Sequence, residues 1–490
     1  MELNILLQGV DFVRRHGPNA EVKGIEYDSR RVQPGSLFVA FRGGTTDGNR
    51  YLPQAIAQGA TAIVTDSAAG FSSASAHPDL AVIEILHGRR ALAVLAANFF
   101  AHPEAQLKLS GVTGTNGKTT TAFLLEAMLR HCGRKTILAG TIEYHASGRI
   151  FPAPHTTPES RDLLELFREG VDGGASEAVM EVSSHALDQE RISGLHFDVA
   201  IFTNLTRDHL DYHGIMDNYF AAKRKLFESS PRVAILNQDD PYGASLASEI
   251  RGPLVYTYGM NNGDFHAGQL RMDPAGMRFD MITPQGEVPL ATRLTGGVNV
   301  YNLLAASAAA MARGLSLEQV AQGAASLDFV PGRFQSVDCG QKFAVVVDYA
   351  HTDDALSNII AVAREFVSQA GGRVITMFGC GGDRDRTKRP LMGHAAARGS
   401  DVVVLTSDNP RGEDPLAIIE QVLPGLSGTS ATVIVEPDRR HAIELAIAQA
   451  KPGDLVLLAG KGHEKTQTIG ERVIPFDDVA IARQVLKESP

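Results

Sequence analysis

The sequence predicts an α/β fold in three domains, the last of them Rossmann-like and doubly wound. Three observations predict it. Short apolar runs of strand length alternate with helical segments along most of the chain, the pattern of mostly parallel sheets. The alternation changes character near residue 104 and restarts near residue 333. The length, 490 residues, corresponds to about three units at roughly 150 residues each. The predicted domains are 1–103, 104–332 and 333–490.

Composition excludes several classes. Hydrophobic residues are 44% and charged residues 21%, which argues against a disordered chain, a collagen or a coiled-coil rod. Aromatics are 6%, Trp is absent and Gly numbers 48, a turn-rich α/β composition. A net charge of -10 gives no global attraction to nucleic acid or to an anionic membrane. The three cysteines, Cys132, Cys339 and Cys380, form no disulfide framework and no zinc pattern, and fit a reducing, cytoplasmic setting. The stretch MELNILLQGVDFVRRHG has no long apolar core, so it does not read as a signal peptide. No run of 18 uncharged apolar residues is available for a membrane span.

The first domain carries strand-like SLFVAF (36–41), TAIVTD (61–66) and LAVIEI (80–85). Helices are expected at YLPQAIAQGA (51–60) and RRALAVLAANFF (89–100). In the second, LKLSGVTG (107–114) runs into a Gly-rich turn, followed by the helical TTTAFLLEAMLRHCG with Gly133 as its stop. EAVMEVSS, FDVAIFTNL and RVAILN then read as buried strands. In the third, AVVVDYA, RVITMFG, DVVVLTSD, TVIVEP and DLVLLAG alternate with helical segments such as DDALSNIIAVAREFV and RHAIELAIAQA. Sites in such sheets lie at the carboxyl ends of strands.

The strongest motif is GVTGTNGKTT, residues 111–120. A strand, a Gly-rich turn and a helix N-terminus put backbone N–H groups around a phosphate. Lys118 would reach the terminal phosphates and Thr119 would ligate Mg²⁺. The strict P-loop spacing asks for Gly at 112, where this chain has Val112 and offers Gly114 instead. The middle domain is therefore expected to be a central P-loop ATPase parallel-sheet domain.

Glu181 ends a strand and is either a solvated carboxylate or a Mg²⁺ ligand. TNLTRDHLDYHG brings Asp208, His209, Asp211 and His213 after another strand; the two histidines are loop residues or, at i,i+4, zinc ligands. Lys223, in the mixed-charge FAAKRKLF, reads alone as a surface lysine. GCGGDRDRTKRP (379–390) is either a solvated charged loop or an anion site built on arginine forks. Asp408, Asn409 and Arg411 of SDNPRG offer an acceptor, an amide and a guanidinium, a kit for a zwitterionic amino acid. AGKGHE adds Glu464, and the three C-terminal turns should converge on one crevice.

GTNGKTT, EVSSH, TRDHLDYH, DYAH, GCGGDRD, DNPR and GKGHE together resemble the Mur ligases of bacterial cell-wall synthesis, across essentially the whole chain. The run Asp408-Asn409-Pro410-Arg411 is similar to the signature of the diaminopimelate-adding subgroup. The resemblance implies an N-terminal UDP-sugar domain, a central ATP domain and a C-terminal amino-acid domain. It implies an amide ligase with small-molecule substrates; a monomer in the cytoplasm is expected. ATP would phosphorylate the D-glutamate side-chain carboxylate of UDP-MurNAc-L-Ala-D-Glu, and the amine of meso-diaminopimelate would displace phosphate.

By that resemblance Gly114, Thr115, Asn116, Gly117, Lys118, Thr119 and Thr120 hold the ATP phosphates, and Asn302, Arg333 and Asp348 the rest of the nucleotide. Thr119 and Glu181 would hold a first Mg²⁺, and His209 with Lys223 as a carbamate a second. Lys118, His209 and Lys223 would be the catalytic set. Ser29, Thr45, Thr46, Thr156, Thr157, Ser183, Gln189 and Arg191 match the UDP-muramoyl-dipeptide contacts. Arg389, Asp408, Asn409, Pro410, Arg411, Gly460 and Glu464 match the diaminopimelate pocket, with Arg411 discriminating against lysine. A lysine-adding ligase, a folylpolyglutamate synthase, a P-loop motor and a nucleotide-binding regulator are the alternatives. Arg411 weighs against the first, the N-terminal domain with YDSR against the second, the small-substrate turns against the third, and Glu181 and His209 against the last.

Overall fold

The computed structural model describes residues 1–44, 46–273, 276–368 and 371–488. Thr45 lies outside the described residues. The N-terminal sheet has five strands, β1 (Phe12–His16), β2 (Gly24–Glu26), β3 (Ser36–Ala40), β4 (Ala62–Thr65) and β5 (Ala81–Ile85). Their order is β1-β5-β4-β3-β2, parallel except for β1. All of β3 and β4 is buried, because helices cover both faces. Helices Leu52–Ala57 and Ala68–Ala74 pack on one face and Gly88–Phe99 on the other. The Ala68–Ala74 helix, rich in Ser and Ala, was not expected; Ser67 caps it by accepting from Gly70 N–H at 3.2 Å.

The middle sheet has eleven strands. They are β6 (Lys108–Thr113), β7 (Thr136–Ala139), β8 (Glu143–Ala146), β9 (Arg149–Pro152), β10 (Glu177–Glu181), β11 (Val199–Phe202), β12 (Val233–Asn237), β13 (Leu254–Gly259), β14 (Phe265–Asp273), β15 (Gly276–Thr283) and β16 (Gly286–Thr292). The order is β16-β15-β14-β13-β12-β11-β6-β10-β7-β8-β9. The expected parallel sheet is its centre, from β7 to β14. Both ends are antiparallel, a β8–β9 hairpin on one side and the β14–β15–β16 meander on the other. These edge strands alternate buried and exposed residues, as in β15, so they lack the continuous apolar runs that mark the centre. Helices Lys118–His131 and Gly297–Ala312 cover one face, Ser160–Asp172 and Met216–Glu228 the other.

The third sheet contains β17 (Gln335–Ser336), β18 (Ala344–Asp348), β19 (Val374–Cys380), β20 (Val402–Ser407), β21 (Thr432–Val435) and β22 (Leu455–Ala459). Its order is β17-β18-β22-β19-β20-β21, parallel apart from β17. Helices Asp353–Ser368, Lys388–Gly399 and Pro415–Val422 lie on one face, Arg439–Ala448 and Asp478–Glu488 on the other, so the domain is doubly wound. A separate hairpin, β23 (Thr466–Ile469) and β24 (Arg472–Pro475), follows. Arg439 and Asp478 form a fully buried bidentate pair, and Arg439 also donates to the carbonyls of Ser407 and Ala459, at the ends of β20 and β22.

The joints between units are polar. Asp162 accepts from Tyr27 Oη at 2.5 Å and from Arg31 at 2.9 Å, and Glu159 is shared by Arg89 and Arg191. The C-terminal unit reaches the middle one through Arg333 to Thr119 (3.3 Å), Asn116 to Asp354 (3.1 Å) and Arg207 to Thr387 (3.2 Å).

His145 on β8 lies between Glu126 and Glu143, with ring-nitrogen contacts of 2.8 and 2.9 Å. Burial opposes its charge, but the two carboxylates outweigh it and raise its pKa to about 9. A folded pKa above the ordinary 6.5 means the pair stabilises fully below pH 6.5 and is lost as pH rises through about 9. The contribution is roughly 2–3 kcal/mol. The stability difference between the protein and a His145→Gln variant should therefore shrink from pH 6.5 to 9 in urea titrations. A difference constant over that range would remove this pair from the stability account.

Candidate active site

The Gly-rich turn runs from β6 into helix Lys118–His131, as expected, with Gly117 as the residue before the helix at φ +85°. No side chain caps this helix, so its first N–H groups remain available to an anion. The turn is fixed from β11: Thr115 N–H donates to Asn204 O at 2.8 Å and Asn116 N–H to Asn204 Oδ1 at 2.9 Å. Lys118 Nζ lies across the loop, donating to the carbonyls of Gly114 (2.9 Å) and Thr115 (2.8 Å). Its burial lowers its pKa.

Two glycines are sterically required. A Cβ on Gly114, at φ +149°, would lie 1.8 Å from Thr203 Oγ1; one on Gly117 would lie 2.4 Å from Asn302 Oδ1. Gly114→Ala should therefore displace the loop by an ångström or so and lower kcat/KM for ATP by about 100-fold. Phosphate-release kinetics measure this directly; an unchanged value would mean that the turn tolerates the shift.

Glu181, at the end of β10, is fully buried. It accepts from Thr119 Oγ1 (3.1 Å), Thr141 N–H (2.8 Å) and Thr141 Oγ1 (2.9 Å). Among the described residues no Lys or Arg forms an ion pair with it. Lys223 is 1% exposed, so its reading as a surface lysine is corrected. The signal was there: Tyr219, Ala222, Lys223, Leu226 and Phe227 are the buried residues of its helix, spaced as one stripe. Lys223 Nζ donates to Gly114 O at 2.7 Å and lies 4.5 Å from the Tyr219 ring centre, with no carboxylate paired to it among the described residues. Burial first, and the Lys118 charge second, push its pKa well below the usual lysine range.

His209 begins a short helix at φ +53°. Burial pushes its pKa down to about 4, so it is a neutral imidazole near neutral pH. His213 does not extend toward it as a partner ligand; it contacts Ser184 Oγ at 3.0 Å and stacks on Tyr219. Tyr219, which sequence reasoning missed, joins its hydroxyl to Thr115 Oγ1 at 3.2 Å.

These groups surround a cavity of about 520 Å³ between the middle and C-terminal units. Residues 115–120, Glu181, His209, Lys223, Asn302, Arg333 and Asp348 all line it. Arg333 stacks on Tyr349, 4.6 Å from its ring centre. Asp348 accepts from the N–H groups of Phe334 (2.7 Å) and Ala350 (2.8 Å), and burial raises its pKa against the pull of Arg333.

Thr156 and Ser183 share the cavity wall; Thr157, Gln189 and Arg191 stand behind them. Thr157 Oγ1 donates to Glu181 O at 2.9 Å, and Arg191 donates to Thr157 O at 3.1 Å and to Gln189 Oε1 at 2.9 Å. Ser29 and Thr46 are in the N-terminal domain, away from this cavity; Ser29 Oγ donates to Gln54 Oε1 at 2.9 Å.

The C-terminal set is not part of the cavity wall either. It gathers at the carboxyl ends of β22, β19 and β20, three neighbours in the sheet. Asn409 Nδ2 donates to Glu464 Oε2 at 2.8 Å. Arg411, at φ +52°, donates from Nη1 to Gly382 O at 2.9 Å, and Pro410 O lies where a Cβ on Gly382 would be, 1.8 Å away. Gly460 approaches Asp408 so closely that a Cβ would sit 2.9 Å from its Oδ2. Arg389 is fully buried, its fork on Glu413 (2.8 and 3.1 Å) with Gln421 and Gly381 O beside it. Sequence reasoning missed Lys461, which is also fully buried.

A glycine-rich loop opening a helix, a buried carboxyl held by two threonines and a polar C-terminal crevice on a three-domain α/β frame fit a nucleotide-dependent group-transfer enzyme. The comparisons narrow the class. Family models described as "Mur ligase family, catalytic domain", "Mur ligase middle domain" and "Mur ligase, glutamate ligase domain" match residues 21–100, 112–310 and 332–462. A protein of Solibacter usitatus named UDP-N-acetylmuramoyl-L-alanyl-D-glutamate--2,6-diaminopimelate ligase is 51% identical, over 99% of this chain and 98% of its own. One of the same name from Geobacillus thermodenitrificans is 46% identical over 100% of both. A solved structure of that title is 33% identical and superposes with a TM-score of 0.67, covering 95% of each chain. The chain belongs to the Mur ligase family.

Proposed function

We infer that the protein is the ATP-dependent ligase that adds meso-2,6-diaminopimelate to the D-glutamate side-chain carboxylate of UDP-MurNAc-L-Ala-D-Glu, in peptidoglycan precursor synthesis. The observation that carries this is full-length identity of 51% to a protein named for that reaction. A carboxylate is a poor electrophile at neutral pH, so transfer of a phosphoryl group from ATP gives it a leaving group. The diaminopimelate amine then displaces phosphate.

The residues of the loop, 114–120, are suited to hold the ATP phosphates through backbone N–H groups, with Lys118 released from the Gly114 and Thr115 carbonyls to the terminal phosphates. Asn302, Arg333 and Asp348 are assigned to the nucleotide. Mg²⁺, when bound, neutralises charge between phosphate and carboxylate oxygens. The donors fit it: Thr119 and Glu181 are hard oxygens, and among the described residues no Lys or Arg forms an ion pair with the buried Glu181 carboxyl. A second ion is assigned to neutral His209 and a carbamylated Lys223. The depressed pKa of Lys223 favours the neutral amine, the form that takes up CO₂, and carbamylation would turn a cation into an anion.

Ser29, Thr45, Thr46, Thr156, Thr157, Ser183, Gln189 and Arg191 are assigned to the UDP-muramoyl-dipeptide, and the C-terminal crevice to diaminopimelate. We place the domain divisions after residues 103 and 332. All three substrate sets lie on one chain, which supports a monomer as the working unit. The family's cytoplasmic substrates support a cytoplasmic location; no helix among the described residues is long and apolar enough to cross a membrane.

The test is phosphate release with ATP, Mg²⁺ and UDP-MurNAc-L-Ala-D-Glu, comparing meso-diaminopimelate with L-lysine. Turnover with diaminopimelate alone is expected. Turnover with lysine would overturn the crevice assignment, and turnover only with folates would overturn the reaction.

A further inference from the structure

We propose that Lys461 is a positioning residue of the amino-acid crevice, holding Glu464 and Asn409 in the orientations that receive the head group of the incoming amino acid. The proposal rests on the reading of that crevice as the diaminopimelate pocket.

Lys461 is the one side chain between two glycines, Gly460 and Gly462, both at positive φ (+111° and +53°), in the turn after β22. It is 0% exposed. Its Nζ donates to Asn409 Oδ1 at 3.0 Å and to Glu464 Oε2 at 3.0 Å. Asn409 Oδ1 also accepts from Thr468 N–H at 3.0 Å. With two donors on Oδ1 the amide cannot flip, so Nδ2 faces Glu464. Both donors to Glu464 then fall on Oε2, and among the described residues none falls on Oε1.

What stays free is a carboxylate oxygen and one amide N–H. The first suits an ammonium and the second a carboxylate, the two halves of an amino-acid head group. Lys461 itself is sealed from solvent while Glu464 is partly exposed, so the lysine acts through its partners and not on the ligand. A buried cation adds little stability over an apolar side chain of the same volume, which points to orientation as its use.

The experiment measures KM for each substrate in Lys461→Met, Glu464→Gln and the double variant. Lys461→Met should raise KM for diaminopimelate by roughly 30-fold or more, while kcat at saturation and KM for ATP change by less than about threefold. If the lysine works through Glu464, the double variant should be no worse than the poorer single, within about threefold. An unchanged KM for diaminopimelate, multiplying effects, or a parallel rise in all three KM values would overturn the proposal. Should Lys461→Met fail to fold, the double variant, which leaves no unpaired charge, decides. A folded double variant whose KM for diaminopimelate stays within about threefold of that of Glu464→Gln supports the proposal; a further rise, or failure to fold, overturns it. Absence of turnover with diaminopimelate in the unsubstituted protein would instead overturn the assigned reaction.

Discussion

Lys223→Ala should reduce turnover by about 10²–10³-fold or more while the protein still folds. The amine is buried against Gly114 O and the Tyr219 ring, and among the described residues no carboxylate forms an ion pair with it. Burial drives both pKa values down, and the Lys118 charge lowers that of Lys223 further. A neutral amine beside the phosphate loop contributes one hydrogen bond, and its removal costs about 1–3 kcal/mol of stability, including the small cavity. Its loss as a carbamate would instead remove an anion from the centre of the site. Phosphate release and a thermal melt separate the two effects. Partial recovery of the Lys223→Ala variant by added short-chain carboxylates is expected, since they return the missing negative charge. Activity within tenfold of the unsubstituted protein would remove Lys223 from the catalytic set.

Arg411→Asn should weaken diaminopimelate use and narrow the preference over lysine, with KM for ATP nearly unchanged. Asn is the better substitution than Ala because position 411 is held at φ +52°, a conformation that Asn tolerates. Among the described residues the guanidinium is anchored by one bond, to Gly382 O at 2.9 Å, leaving most of its donors for a ligand carboxylate. A lost charge-assisted pair costs roughly 2–5 kcal/mol, which converts to about 30-fold to several thousandfold in kcat/KM. Lysine lacks the distal carboxylate, so its poor use should change little. Equal losses for both amino acids would assign Arg411 to the shared head group, and no loss would remove it from the pocket.

The site was legible where chemistry is written in short runs. The loop at 111–120 is readable from strand–turn–helix grammar, whereas Glu181 and the charged C-terminal loop, each with a solvated alternative, are singled out only by the family resemblance. Lys223 needed the helical stripe that buries it, and its mixed-charge neighbours concealed that stripe. Tyr219, Asn204 and Thr141 act through partners 40 to 104 positions away, and no local pattern announces such pairs. Lys461 is a lysine in a glycine-rich turn, and only the packed structure distinguishes it from a solvated one. The antiparallel ends of the middle sheet were missed because strands with one wet face carry little apolar signal.

The strand order of the third sheet has a consequence for how the chain is made. Its last strand, β22, lies between β18 and β19, which come more than seventy residues earlier. During synthesis β18 and β19 must therefore wait with an edge each uncovered until residue 459 has emerged. Such edges recruit other strands, so the nascent C-terminal unit is exposed to mispairing until then. The middle sheet meets the same wait earlier in the chain, since β10 lies between β6 and β7, but that gap closes once residue 181 has emerged. The amino-acid crevice is thus the last part of the enzyme to come into being.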